Sequence, residues 1–334
     1  MKEQKVMRAK DFFALLVAVI ATILFCNGFT PLLYNKFGGI HRTTLILNKL
    51  KEPGFSPELV VFGSSKAMMG IDGYQMTKEL GIDVYNFSST GQPPVESSLY
   101  YSMLPPSVKT VIQIIYPPIK KKGEPDMSTH ELSKTIVTNF AMGGYKLDED
   151  IKQINPNIEM SALEKNQIEQ NFGARAAIFV PGLTDFLLPR DKDAAVDLKF
   201  CNSYLTKRHT MYDRTIDQEI KHGYINCSIE VDSVAASILN GYAKYLGKKG
   251  IKVVAVIMPS NPDVKEFSAE QMDLIGERCK ELIPNATVLN YLAKVKDTQM
   301  FFDAAHLNRD GAKEVTSLLD RDLIDKGIVC QKKN

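Results

Sequence analysis

Short apolar runs alternate with stretches of helical periodicity along much of the chain. The first run lies in Glu58-Leu-Val-Val-Phe-Gly-Ser-Ser65, and similar ones follow at Ile82–Phe87, Thr110–Ile115, Ile251–Met258 and Ala286–Asn290. Runs of this length and β-branched content predict buried strands. Between them, residues 67–80 stop at Gly81 with an amphipathic pattern, and Pro94–Leu104 reads as a second helix. Val231–Lys249 ends in Lys248-Lys-Gly250, as a helix C-terminus should, and Ala269–Leu282 is the next helical segment. A last helix over Arg309–Leu323 places Ala312, Val315, Leu318 and Leu319 on one face. Strand–helix alternation implies a parallel sheet covered on both faces. The expected architecture is α/β, a flavodoxin-like three-layer sandwich around a central, mostly parallel five-stranded sheet.

The ends and the middle interrupt this rhythm. Phe12 to Asn35 contains no charged residue. About 20 helical residues rising 1.5 Å each cross a ~30 Å hydrocarbon core, so this run predicts a transmembrane helix. Lys2, Lys5, Arg8 and Lys10 favour a cytoplasmic amino terminus, although Lys36, Arg42 and Lys49 on the far side reduce the asymmetry. A cleaved signal peptide is the competing reading. It lacks an A-x-A-like site near residues 27–35, which favours an uncleaved anchor. Cys26 follows Leu24-Phe25 and so does not resemble a lipidation cysteine. The expected organisation is residues 1–11 cytoplasmic, 12–35 the anchor, 36–57 a juxtamembrane connector, and 58–328 an extracytoplasmic α/β domain. Within it, 119–230 shows amphipathic stretches without strand alternation, and reads as a helical insertion serving as lid or substrate-recognition region.

Composition changes little. The 334 residues are 44% hydrophobic and 24% charged, with a formal net charge of +2, ordinary for a globular protein. Lys120-Lys-Lys122 reads as a solvated loop, so nucleic acid binding has no support. No metal-like spacing relates the five cysteines; Cys201 and Cys227 either pair or serve as separate small core residues. No metal or organic cofactor is implied.

Candidate chemistry sits at the two ends of the α/β region. Gly63-Ser64-Ser65 follows the first strand, at the carboxyl edge where open α/β sheets bind ligands. Ser65 is the candidate nucleophile, although in isolation a turn and helix N-cap are the better explanation of the same residues. In Phe302-Asp-Ala-Ala-His306, Asp303 can hold one imidazole nitrogen of His306 and leave the other facing a hydroxyl. Alone, the pair is also an ordinary polar turn. Gly91 follows the second strand, and reads either as a turn before Pro93-Pro94 or as a backbone donor close to substrate.

Together, Gly-Ser-Ser after the first strand and Asp303-x-x-His306-Leu-Asn-x-x-Gly-Ala before the last helix resemble the SGNH, or GDSL-like, hydrolase superfamily. Ser64 stands where the name-giving motif has Asp, a departure shared with polysaccharide O-acetylation proteins and the D-alanyl-transfer protein of teichoic acid synthesis. The resemblance implies Ser65 as nucleophile, His306 as general base and Asp303 as its orienting carboxylate. It also implies an oxyanion hole made by the backbone N–H groups of Ser65 and Gly91. The superfamily's third block, a Gly-x-Asn, is missing: Tyr116-Pro-Pro118 follows the third strand, and Asn261 in Met258-Pro-Ser-Asn-Pro262 is the substitute candidate.

The expected function is a membrane-anchored esterase or acyltransferase acting on O-acyl esters, for example O-acetyl, of an envelope glycan through an acyl-enzyme. The alternative is a non-catalytic accessory protein that binds an acylated glycan or a membrane-bound O-acyltransferase. A nucleotide-binding reading of the same fold finds neither a G-x-G-x-x-G nor a P-loop.

Overall fold

The strands are built for burial on both faces. In the first, Leu59, Val60, Val61 and Phe62 are all fully buried, with Val60 and Phe62 in one apolar cluster and Leu59 and Val61 in the other. The third strand and the strand at Lys252–Ile257 divide their side chains in the same alternating way, so the sheet separates two cores. A computed structural model describes residues 42–92, 94–126, 197–199, 201, 216, 217, 220, 223–225 and 227–331, with isolated positions between 13 and 22.

In chain order the elements are α1 (Arg42–Lys51), β1 (Leu59–Phe62), α2 (Ser65–Gly70), α3 (Gly73–Leu80), β2 (Val84–Asn86), α4 (Pro94–Ser98) and β3 (Thr110–Ile115). They continue as β4 (Ile119–Lys121), β5 (Ile229–Val231), α5 (Ser233–Lys248), β6 (Lys252–Ile257), α6 (Ala269–Leu282), β7 (Thr287–Asn290) and α7 (Arg309–Asp325). The central sheet has five strands in the order β2-β1-β3-β6-β7, and every pairing is parallel. Residues of α1, α5 and α6 supply the core on one face; residues of α2, α3 and α7 supply it on the other.

The chain leaves β1 for β2 on one side and returns to β3 on the other. That reversal opens a crevice at the carboxyl ends of β1 and β3, where a doubly wound sheet takes its ligand.

Several expected elements change on folding. The helix expected over 67–80 is two helices, because Ile71 is extended and Asp72 caps α3 by accepting from the N–H groups of Tyr74 and Gln75. Asp72 in turn donates its own N–H to Thr316 Oγ1, which ties the break to α7. The helix expected over 94–104 is the short α4 followed by a 3-10 turn at Tyr101–Met103. The connector expected over 36–57 contains α1, whose Ile46 and Leu47 are buried in the core. Lys120–Lys122 is no free loop: Lys120 and Lys121 lie in β4, which pairs antiparallel with β5, and Lys120 bridges Asp126 and Glu230. Most of the insertion lies outside the described residues, but this ladder closes its base.

Other boundaries hold closely. Helix α6 begins at a capping box between Ser268 and Gln271, and α5 at Asp232, which accepts from the Ala235 N–H. Cys201 is buried and donates to the Met69 carbonyl, with no bond to Cys227. Most of the apolar run 12–35 lies outside the described residues; among the described ones, no helix is long and apolar enough to cross a membrane.

Candidate active site

Ser65 owes its position to Gly63. A Cβ at Gly63 would lie 2.7 Å from Ile114 Cβ and 2.8 Å from Ala67 Cβ. Only glycine lets the chain turn this closely against β3 and enter α2 at once. Ser65 is the first residue of α2, so its N–H has no carbonyl one turn earlier to bond. Ser64, the residue in the place of the motif's Asp, is the N-cap; its buried hydroxyl makes no cap bond and has no hydrogen-bond partner.

The histidine arrives on a stapled loop. Phe301 and Leu307 form an isolated bridge, the Phe302 N–H bonds the His306 carbonyl at 2.8 Å, and the Asn308 N–H bonds the Met300 carbonyl at 2.9 Å. Phe301 and Leu307 are buried, which fixes both ends of the loop in the core under α7. Gly311 completes it: a Cβ there would stand 2.3 Å from the Met300 carbonyl oxygen. Asn308 caps α7 through the N–H groups of Asp310 and Gly311.

Three side chains meet. His306 Nε2 lies 2.8 Å from Ser65 Oγ, and His306 Nδ1 lies 3.0 Å from each carboxylate oxygen of Asp303. Asp303 Oδ1 also accepts the backbone N–H groups of Ala305 and His306, both at 2.8 Å. Burial would raise the Asp303 carboxyl, but the His306 ring and these two N–H groups outweigh it and hold the carboxyl below its ordinary value. Asp303 is therefore ionised at neutral pH. An ionised acceptor at Nδ1 selects the tautomer that presents a bare Nε2 to the serine hydroxyl.

The oxyanion candidates are distributed differently. The Ser65 N–H is at the crevice. Gly91 is exposed in a turn at φ +69°, a conformation that favours glycine. Asn261 is buried and reaches the site by another route: its Nδ2 donates to the Asp303 carbonyl at 3.1 Å, and its Oδ1 accepts the Asp263 N–H at 3.0 Å. In this structure it braces the Asp303 backbone.

Two positioning residues escaped the sequence reading. Asn86, fully buried at the end of β2, donates from Nδ2 to the carbonyls of Ala67 and Ile71, both at 3.0 Å, and accepts the Ser88 N–H. It locks the nucleophile's helix to the Gly91 strand end. Its signal was a lone amide inside an apolar strand, a type that stays buried only when bonded. Arg42 of α1 donates to the carbonyls of Asn86 and Ser88 on the same loop. Burial pushes its guanidinium down to about 10. Nothing in the connector's composition marked it.

Family models include none that matches the chain, and a search of curated proteins finds no match.

Proposed function

We propose that the chain is a membrane-anchored serine esterase or acyltransferase of SGNH type, with a flavodoxin-like domain on the extracytoplasmic side, acting on O-acyl esters of an envelope glycan. The observation that carries the reading is the unbroken relay from Asp303 through His306 to Ser65 Oγ, with contacts of 3.0 and 2.8 Å. A serine hydroxyl becomes a nucleophile when such a base takes its proton. Ser65 Oγ attacks the ester carbonyl while its proton passes to His306 Nε2, and Asp303 stabilises the imidazolium. The oxyanion meets the Ser65 N–H and, as the resemblance implies, that of Gly91. His306 returns the proton to the departing alcohol oxygen, leaving an acyl-Ser65. Water or a sugar hydroxyl, deprotonated by His306, then takes the acyl group and frees the serine.

The test is covalent labelling of the full-length chain in detergent with a fluorophosphonate probe. Labelling at Ser65 that disappears in Ser65→Ala and in His306→Ala, with helical circular dichroism unchanged, is the expected result. A folded wild type that takes no probe would sink the reading in favour of a non-catalytic accessory protein.

A further inference from the structure

A cavity of about 340 Å³ opens beside this crevice. Its described lining includes Pro94, Tyr116, Ile119, Tyr224, Leu239 and Phe267. Three of its lining residues, Tyr116, Pro94 and Glu266, lead back to the site. Tyr116 directly follows β3, on the sheet edge next to Ser65, and Pro94 lies three residues beyond Gly91. The Lys66 ammonium, on the residue after Ser65, sits 5.1 Å from the centroid of the Tyr116 ring. On the far wall, Glu266 accepts from Ser260, the neighbour of the Asn261 that braces Asp303.

The lining is mainly apolar. The Tyr224 and Phe267 rings stack at 5.3 Å, and Ile238 and Leu239 of α5 belong to the buried core. Its two carboxylates have other work: Asp232 caps α5, and Glu266 is bonded to Ser260. A site of this volume and polarity lies in the range of about 300–1,000 Å³ that buries a sizeable apolar ligand, and an acetyl group would leave most of it unfilled.

We infer that this cavity is the acyl-chain site of the Ser65 centre, and that the ester it takes carries a hydrocarbon acyl group longer than acetyl. The inference rests on the esterase or acyltransferase reading and narrows its substrate. It also gives the base of the insertion a role, because Ile119 of β4 and Tyr224, shortly before β5, form part of the wall. The chain would lie along Tyr116 and Leu239 with its carbonyl at the Ser65 N–H and its alcohol portion toward solvent.

The experiment measures labelling rates of the full-length chain with two fluorophosphonates that differ in their alkyl group, methyl and octyl. In both, the Ser65 Oγ–P bond forms as the P–F bond breaks, fluoride leaves, and the serine proton passes to His306. The octyl probe is expected to react at least about tenfold faster, the factor that burial of two methylenes supplies. Ala235→Leu, which fills the cavity from α5, should remove that advantage, so that the octyl and methyl rates of the variant become equal. Leu239→Ala, which enlarges it, should move the preference to a dodecyl probe, and thermal melting reports that both variants fold. Equal methyl and octyl rates in the wild type would overturn the acyl-site inference while leaving the serine reading intact. Failure of both probes on a folded chain would remove the two together.

Discussion

Replacing Asp303 by asparagine probes the relay with little change of shape. Asp303 does two jobs with one carboxylate. Its Oδ1 accepts the Ala305 and His306 N–H groups at 2.8 Å, while both oxygens face His306 Nδ1 at 3.0 Å. An asparagine keeps an oxygen for the two backbone donors, so the turn survives. Its NH₂ then faces Nδ1, which must accept, and the ring proton moves to Nε2. An Nε2–H pointing at Ser65 Oγ cannot take the serine proton. Loss of the correct tautomer and of imidazolium stabilisation is worth about 10⁴ in rate in a Ser-His-Asp triad, or roughly 5.5 kcal/mol of barrier. The folding cost is much smaller: about 1 kcal/mol, because the lost charge-assisted bond is only partly shielded from water. The assay is the observed fluorophosphonate labelling rate of Asp303→Asn beside its thermal midpoint. A rate within tenfold of wild type at an unchanged midpoint would refute the assignment of Asp303 to tautomer control.

Asn86→Ala removes the two donated bonds to Ala67 and Ile71 and the one accepted from Ser88. At about 1 kcal/mol net per bond, with two carbonyls left buried, urea unfolding should show a loss of roughly 2–4 kcal/mol. Its labelling rate should fall with it, since α2 carries Ser65; an unchanged unfolding midpoint would contradict the bracing role. Asp320 of α7 is buried with neither carboxylate oxygen hydrogen-bonded, and burial, with Glu79 and Asp72 nearby, pushes its carboxyl up to about 8. The folded chain therefore holds a proton that the unfolded chain has released above about pH 4, so stability falls as pH rises between about 4 and 8. The slope is at most about 1.4 kcal/mol per pH unit. Asp320→Asn should flatten the midpoint-versus-pH curve in that window, and a mutant curve parallel to wild type would show that Asp320 ionises normally.

The division of information between chain and fold follows from the range of each interaction. Strand and helix identity was legible because it depends on neighbours in sequence: four of the six residues in Thr110–Ile115 are valine or isoleucine, and Ser268 with Gln271 fixes the start of α6 locally. Ser65, Asp303 and His306 were legible as types at characteristic spacings. Their convergence was expected from the strand–helix alternation and the resemblance, but the contact itself spans 241 positions, and it is the parallel sheet that brings serine and histidine to one edge. The break at Ile71 depends on Thr316, 244 positions from Asp72, and the pairing of Ile119–Lys121 with Ile229–Val231 joins the two ends of a long insertion. No local pattern encodes such partners. The roles of Asn86, Arg42 and Asn261, and the cavity behind Tyr116, exist only when distant segments pack. There the unpaired amide, guanidinium or ring finds the partner that makes its burial affordable.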